Sequence, residues 1–540
     1  MSTPSTTIYI CSGVPLNNRY DHTLYFASSH DQATYFSGKV AHKCNNYTYV
    51  RKSWKLKVTA AMEAARRWSY LFFRNGENNK KYFYFITQIE YISDVAVELT
   101  LELDVMQTYM FEWVLRPCYI DREHSEKDMW GENTLDEGLD VGELITSDKE
   151  SFDMSSNNVI MMAASIDLHY FDNAIHEGVN DTVNTVWGSN YDNVFGSFSI
   201  ACVPLSRWAH AAEFIGRLSQ KGQTDALFTM WQYPARLLNY ENIEGRLLAR
   251  VKGATLSTFT LKDRPTSIDG YKPKNNKVLQ YPYCFVYTTN NAGGAAVYHY
   301  EHFSNESRTF RIQGNIAPDA VVKLVPVLYK GVDHNYDEAL SLSNFPVCAW
   351  NSDTYKIWLA QNQNQNNMGY GMEALKIVGG VASIVGGVLA SGVTGGASTV
   401  AGATAGTSMI ASGATGIASQ LAQKADMKVQ PPQSRGAFSG SHNASRGLQN
   451  FDFYYKTIDA YHAEVIDNYF SMYGYATRKV KIPNISSRPA WNYVKTIGSN
   501  VGGDFCQEDL QRINAIFDKG ITFWKNPDIG NYAIDNKPII

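Results

Sequence analysis

The chain of 540 residues is poor in cysteine, and no two of its seven cysteines form a CxxC pair. Cys11, Cys44, Cys118, Cys202, Cys284, Cys348 and Cys506 are scattered and odd in number. That spacing argues against a zinc ribbon or a disulfide framework and predicts reduced core thiols, made in a cytoplasm. An excess of charge of one sign is also lacking. With 48 Lys and Arg against 52 Asp and Glu, the formal charge of −4 exerts no pull on phosphates, so a sequence-reading nucleic-acid binder is not expected. The opening residues, MSTPSTTIYI, have neither a basic start nor a long apolar core, so no secretory leader is expected.

Catalytic signatures are missing too: there is no P-loop, GxSxG, HExxH or dinucleotide fingerprint. A pair of carboxylates for glycoside cleavage is a tertiary arrangement that sequence does not reveal. Arg122, Glu123 and His124 set acid beside base, but neighbours on a strand point to opposite faces, so a salt-bridged structural role is expected. His299 and His302, in HYEH, are three apart, which suits a metal only on a helix, and the aromatic alternation around them reads as strand. No catalytic residue, metal or cofactor is expected.

The longest absence lies between Lys376 and Lys424, where no residue is charged, aromatic or proline. A flexible linker would not need Ile377, Val378, Val381, Ile384, Val385, Val388 and Leu389. An ordinary buried helix is disfavoured, because the eleven glycines cost about 1 kcal/mol each against alanine. A permanent membrane span wants about 20 strongly apolar residues. Here only Ile377 to Leu389 is greasy, with Val393, Met409, Ile410, Ile417 and Leu421 spaced out beyond it. A conditional segment fits better: loosely held in water, helical in lipid, where backbone groups must be satisfied internally. Gly379, Ser383, Gly387, Ser391 and Gly395 recur every fourth residue, a small-residue stripe that lets helices approach closely.

What the rest of the chain has in plenty is tyrosine, 34 of them beside 25 Phe and 11 Trp, which favours strands and interfaces. The expected class is mainly β (α+β). DVAVELTLELDV is the clearest strand: Val95, Val97, Leu99, Leu101, Leu103 and Val105 share one face, with Glu98, Glu102 and Asp104 on the other. Asn75–Gly76 reads as a hairpin tip, and NNAGG as the turn joining YPYCFVYTT to AAVYHYEHF. Helices are expected in RWAHAAEFIGRLSQKG, with Ala211, Phe214, Ile215 and Leu218 inward, and in QEDLQRINAIFDKG, which Gly520 stops. Another is expected after Ser352 or Asp353, with Tyr355, Trp358 and Leu359 inward. The divisions are a β-rich part over 1–164, a mixed module over 165–263, a second β-rich part with a helix over 264–368, the apolar segment over 369–436, closed by PPQSRG, and a compact α+β unit over 437–540.

Four blocks carry a resemblance. They are LELDVMQTYMFEWVLRPCYIDREHSEKDMWGENTLDEGL from Leu101, YPYCFV at Tyr281, the apolar segment with LAQKADMKVQPPQ, and YGYATRKVKIPNISSRPAWNYVKT with IFDKGITFWKNPDIGNYAIDN. In collinear order they resemble the tail knob (distal tail tube) proteins of small short-tailed phages of Gram-positive bacteria, the Salasmaviridae and Rountreeviridae. No motif in 165–263 contributes. The resemblance implies a virion protein at the tail tip, a homo-hexamer whose β-rich domains close into a tube ending in a knob. It implies a phage lower collar or connector-side tail protein as neighbour. It also implies apolar loops that plug the lumen, then enter host cytoplasmic membrane lipids to make a channel for double-stranded DNA, which passes without specific binding. In such a tube Glu98, Glu102 and Asp104 could line the lumen and repel phosphate. A cell-wall or receptor adhesin working through 165–263 is the alternative; a wall-degrading enzyme and a pore-forming toxin have less behind them.

Overall fold

The computed structural model describes residues 6–537 except 46, 51–53, 77–78, 155, 167, 169–193, 196–197, 221–225, 305, 318–319, 344, 346 and 350–448. It divides into two compact units, each assembled from non-contiguous stretches.

The first unit combines Met1–Leu144, Pro265–Tyr283 and Ile458–Ile540. Its seven-stranded antiparallel sheet runs in the order Val40–Cys44, Ile8–Ser12, Trp68–Arg74, Lys81–Ser93, Ala96–Leu103, Lys55–Thr59, Tyr47–Val50. In Ala96–Leu103 burial alternates strictly, with Val97, Leu99, Leu101 and Leu103 inward, as a period of two requires. Two residues depart from the expected strand. Val95 lies in the turn and is 66% exposed, and Val105 is buried but opens a short helix, Val105–Thr108. The Asn75–Gly76 connection joins Trp68–Arg74 to Lys81–Ser93, closed by the Asn75 amide on the Lys80 carbonyl at 2.8 Å. Helix Ser29–Gly38, capped by Ser28, inserts Phe36 over the sheet, where it stacks on Tyr70 with centroids 5.2 Å apart.

The unit's second sheet has five strands in the order His22–Leu24, Ile521–Trp524, Trp491–Ile497, Cys118–Glu123, Tyr475–Lys481. Helix Gln507–Lys519 carries Glu508 and Asp509 in its first turn, buries Ile513, Ile516 and Phe517, and ends at Gly520 with φ +98°. Only glycine adopts that backbone without strain, so the helix stops where the sequence indicates.

The second unit combines Ile145–Arg264 and Cys284–Thr457. One sheet follows Leu238–Asn242, Ala249–Ala254, Phe198–Pro204, Asn158–Ala164, Leu227–Pro234, Val347–Ala349, with Val194–Phe195 beside Phe198–Pro204. Helix Trp208–Gln220 packs with it, burying Ala211, Phe214, Ile215 and Leu218 as expected. A four-stranded sheet follows Ile145–Asp153, Asn450–Thr457, Cys284–Thr289, Ala295–Tyr298. The NNAGG turn closes its hairpin, with Asn290 Oδ1 accepting from the Ala292 and Gly294 amides at 2.9 and 2.8 Å. A third sheet contains Leu256–Thr260, Thr309–Gly314, Val322–Tyr329 and Val332–His334, with Leu340–Leu342 beside Val322–Tyr329.

The predicted boundaries at 164 and 263 differ from this division. A cut at 164 would sever Asn158–Ala164 from the partners that flank it on both sides, Phe198–Pro204 and Leu227–Pro234. Residues 265–283 join the first unit, and Asn450–Thr457, expected in a C-terminal unit, completes a sheet of the second.

Candidate functional site

The apolar segment, including every residue from Ile377 to Leu421 singled out above, lies outside the described residues, as does the helix expected after Ser352. The strands that bracket it are described, and both belong to the second unit. Val347–Ala349 pairs with Leu227–Pro234 at a sheet edge. Asn450–Thr457 lies between Ile145–Asp153 and Cys284–Thr289, bonded on both sides. Segment 350–448 therefore leaves from one sheet and returns into another.

Of the three acidic residues, two share the expected face. Glu98 is half-buried, 2.8 Å from Lys55 and 3.8 Å from Lys57, and the Lys55 hydrogen bond holds its carboxyl below the usual range. Glu102 accepts from Arg512 at 2.7 Å and Asn18 at 2.8 Å. Asp104 is not with them: it is 1% exposed, beyond the end of the strand. There it caps Val105–Thr108, accepting from the Met106 and Gln107 amides at 3.0 and 3.1 Å and from Tyr70 Oη at 2.7 Å. Burial pushes its carboxyl up to about 6 against these donors. The face is thus charge-compensated, and Asp104 belongs to the core.

Arg122, Glu123 and His124 enter a buried ionic network in the first unit. Glu137, from an extended stretch without regular structure, meets Arg122 and the fully buried Lys277 and accepts from the Ala476 amide at 3.0 Å. Lys277 lies between the Phe470 and Tyr475 rings, 5.5 and 5.4 Å from their centroids. Its ammonium is lowered by burial, opposed by Glu137. Glu123 pairs with Lys481 and accepts from the Asn484 amide at 3.0 Å. His124 Nδ1 accepts from the Tyr493 amide at 2.7 Å and Nε2 donates to the Ser471 carbonyl at 3.1 Å. Burial, helped by Arg488, lowers its pKa to about 3, so the ring is neutral. Asp467 accepts from Tyr271 Oη, the Lys274 amide and the Asn275 amide at 2.7 to 2.9 Å. Gly474 sits where a Cβ would run into the Glu123 carbonyl. Every partner here is structural, and the ring nitrogens that base catalysis needs are occupied.

His299 and His302 are not on a strand: Ala295–Tyr298 ends before them and Tyr300–His302 is a single 3-10 turn. Burial lowers both, His299 to about 4, with their centroids 4.6 Å apart. Among the described residues no group of three or more His, Cys, Asp or Glu is placed to hold a metal ion, and no helix is long and apolar enough to cross a membrane. Cys11, Cys44, Cys118, Cys202 and Cys284 are buried thiols outside any disulfide, whereas Cys506, expected in a core, is exposed.

Residues 248–537, more than half of the chain, match the family described as Bacillus phage phi29, Tail knob protein gp9, C-terminal domain. The chain belongs to this tail knob family. Residues 4–114 match the N-terminus of the caudoviral major tail protein. Tail knob proteins gp9 of Bacillus phages B103 and phi29 are each 26% identical to the chain, with 98% of both chains covered. The tail knob protein gp12 of bacteriophage C1 covers 99% of the chain and is itself covered completely, with TM-score 0.61 at 15% identity, a likeness of fold alone. Tail knob proteins are structural components of a phage tail, which points to a role without catalysis.

Proposed function

We propose that this tail knob protein assembles head to tail into a six-membered ring around a DNA channel and delivers the genome through a membrane. Its uncharged segment from Ile377 to Gln423 occupies the channel at rest. On infection it leaves the lumen and enters the host cytoplasmic membrane as helices, packed along Gly379, Ser383, Gly387, Ser391 and Gly395. The observation that carries this reading is the composition of that segment, tethered between two strands of one unit.

The channel reading assigns no repulsive wall to Ala96–Leu103. Glu98 and Glu102 have cationic partners, so a lumen lined by them passes DNA because it is compensated. Neighbours along the tail, a collar or connector-side protein among them, belong to the same reading.

Dye release tests it. Full-length protein is expected to empty vesicles, and a variant lacking 377–423 is expected to assemble with the same number of subunits and release nothing. Leakage that survives the deletion would move the membrane activity elsewhere.

A further inference from the structure

Among the exposed apolar side chains of the first unit, two groups lie close together on paired strands or one turn. In the five-stranded sheet Tyr119 lies directly opposite Ile497 on one side and Val480 on the other, an exposed row across three strands. Val480 is 71% exposed, and Ile482 extends the patch just beyond the strand. Tyr475–Lys481 is the sheet's edge strand, and its Arg478 and Lys479 are exposed without an ion pair among the described residues.

The other group lies at the turn of the Lys81–Ser93 and Ala96–Leu103 hairpin. Tyr91, Ile92 and Val95 are all exposed there, beside Glu90 and Asp94. Lys55 reaches Glu90 at 3.4 Å, while Asp94 accepts only from Tyr91 Oη at 2.6 Å and meets no cation among the described residues.

Basic residues at a sheet edge commonly serve to block strand addition. That accounts for Arg478 and Lys479 but not for Val480 and Ile482, which point outward beside them. Exposed apolar clusters rimmed by charge mark protein contacts, and these two rims are of opposite sign.

We propose that the two patches are the halves of one heterologous contact. The hairpin turn of one copy seats on the Ile497–Tyr119–Val480 row of the next, with Asp94 and Glu90 towards Arg478. A contact between two different patches of one chain repeats head to tail, and closes into a ring where its rotation returns on itself. The inference rests on the ring reading above and adds where the copies touch.

The test uses the full chain in a Cys506→Ser, Cys348→Ser background, which removes the exposed thiol among the described residues and the one cysteine whose side chain lies outside them. Val95→Cys and Val480→Cys are made singly and together, assembled, oxidised and run under non-reducing denaturing conditions. The expected result is a ladder of cross-linked multimers from the double variant, a dimer from the mixed single variants, and no product from either alone. Rings seen by native mass spectrometry whose double variant stays uncross-linked would overturn the contact and leave the ring reading standing. Dimers from Val95→Cys alone would overturn it in favour of a two-fold contact. A parent protein that stays monomeric at every concentration would overturn the ring reading and the contact together.

Discussion

Asp104 and His124 are both buried in the first unit, and burial moves their stability contributions in opposite directions with pH. The Asp104 carboxyl, raised to about 6, binds its proton more tightly folded than unfolded. Its contribution therefore falls as pH rises from about 4 to 6, by roughly 3 kcal/mol at 1.36 kcal/mol per pKa unit. His124, lowered to about 3, is the reverse: its contribution is complete above about 6.5 and is lost as pH falls towards 3, by roughly 5 kcal/mol. Acid is thus expected to weaken the unit on balance. Asp104→Asn keeps an oxygen for the cap, stays neutral, and is expected to flatten the pH 4–6 part of a urea-denaturation profile. His124→Gln is expected to cost stability at pH 7 but to shrink the loss between pH 6.5 and 4. Unaltered pH profiles in both variants would contradict these assignments. Asp104 was legible in principle: Asp followed three residues later by Gln107 is a helix-start signature. The unbroken alternation leading up to it concealed the end of the strand.

At the scale of elements, period and turn chemistry were the readable part. Val97 to Leu103, helix Trp208–Gln220 and the helix ended by Gly520 stand where apolar spacing and a glycine stop put them. The Val95 and HYEH departures share one cause, since alternation persists in sequence past the point where a turn ends the ladder. The difference is measurable. Leu99→Ala, at a fully buried position, is expected to cost about 2–5 kcal/mol. Val95→Ala, in the exposed turn, is expected to change folding stability by less than about 0.5 kcal/mol. Equal losses from the two would mean that the turn packs against protein within the folded monomer.

For the whole molecule, sequence yielded the class and the family, but not which stretches close a sheet. Arg122, Glu137, Lys277, Asp467 and Lys481 meet from three separate parts of the chain. No local spacing encodes such meetings, so the partners of Arg122 and Glu123 could not be read from the sequence. The same interleaving moves the expected boundaries, because the second unit closes its sheets with strands on both sides of the apolar segment. That segment was the strongest functional signal in the sequence, since its composition needs no tertiary knowledge to interpret. Glycine at that density opposes helix in water and is overruled in hydrocarbon, where an unpaired peptide group costs several kcal/mol.

The most direct measurement places an environment-sensitive fluorophore at Ser391→Cys in full-length protein carrying Cys506→Ser, with Lys127→Cys as the control position. On adding vesicles, the account predicts a blue shift at 391 and quenching by nitroxides deep in the acyl chains, with neither at 127. Emission at 391 that stays that of water, unquenched by lipid nitroxides while the same vesicles leak, would contradict it.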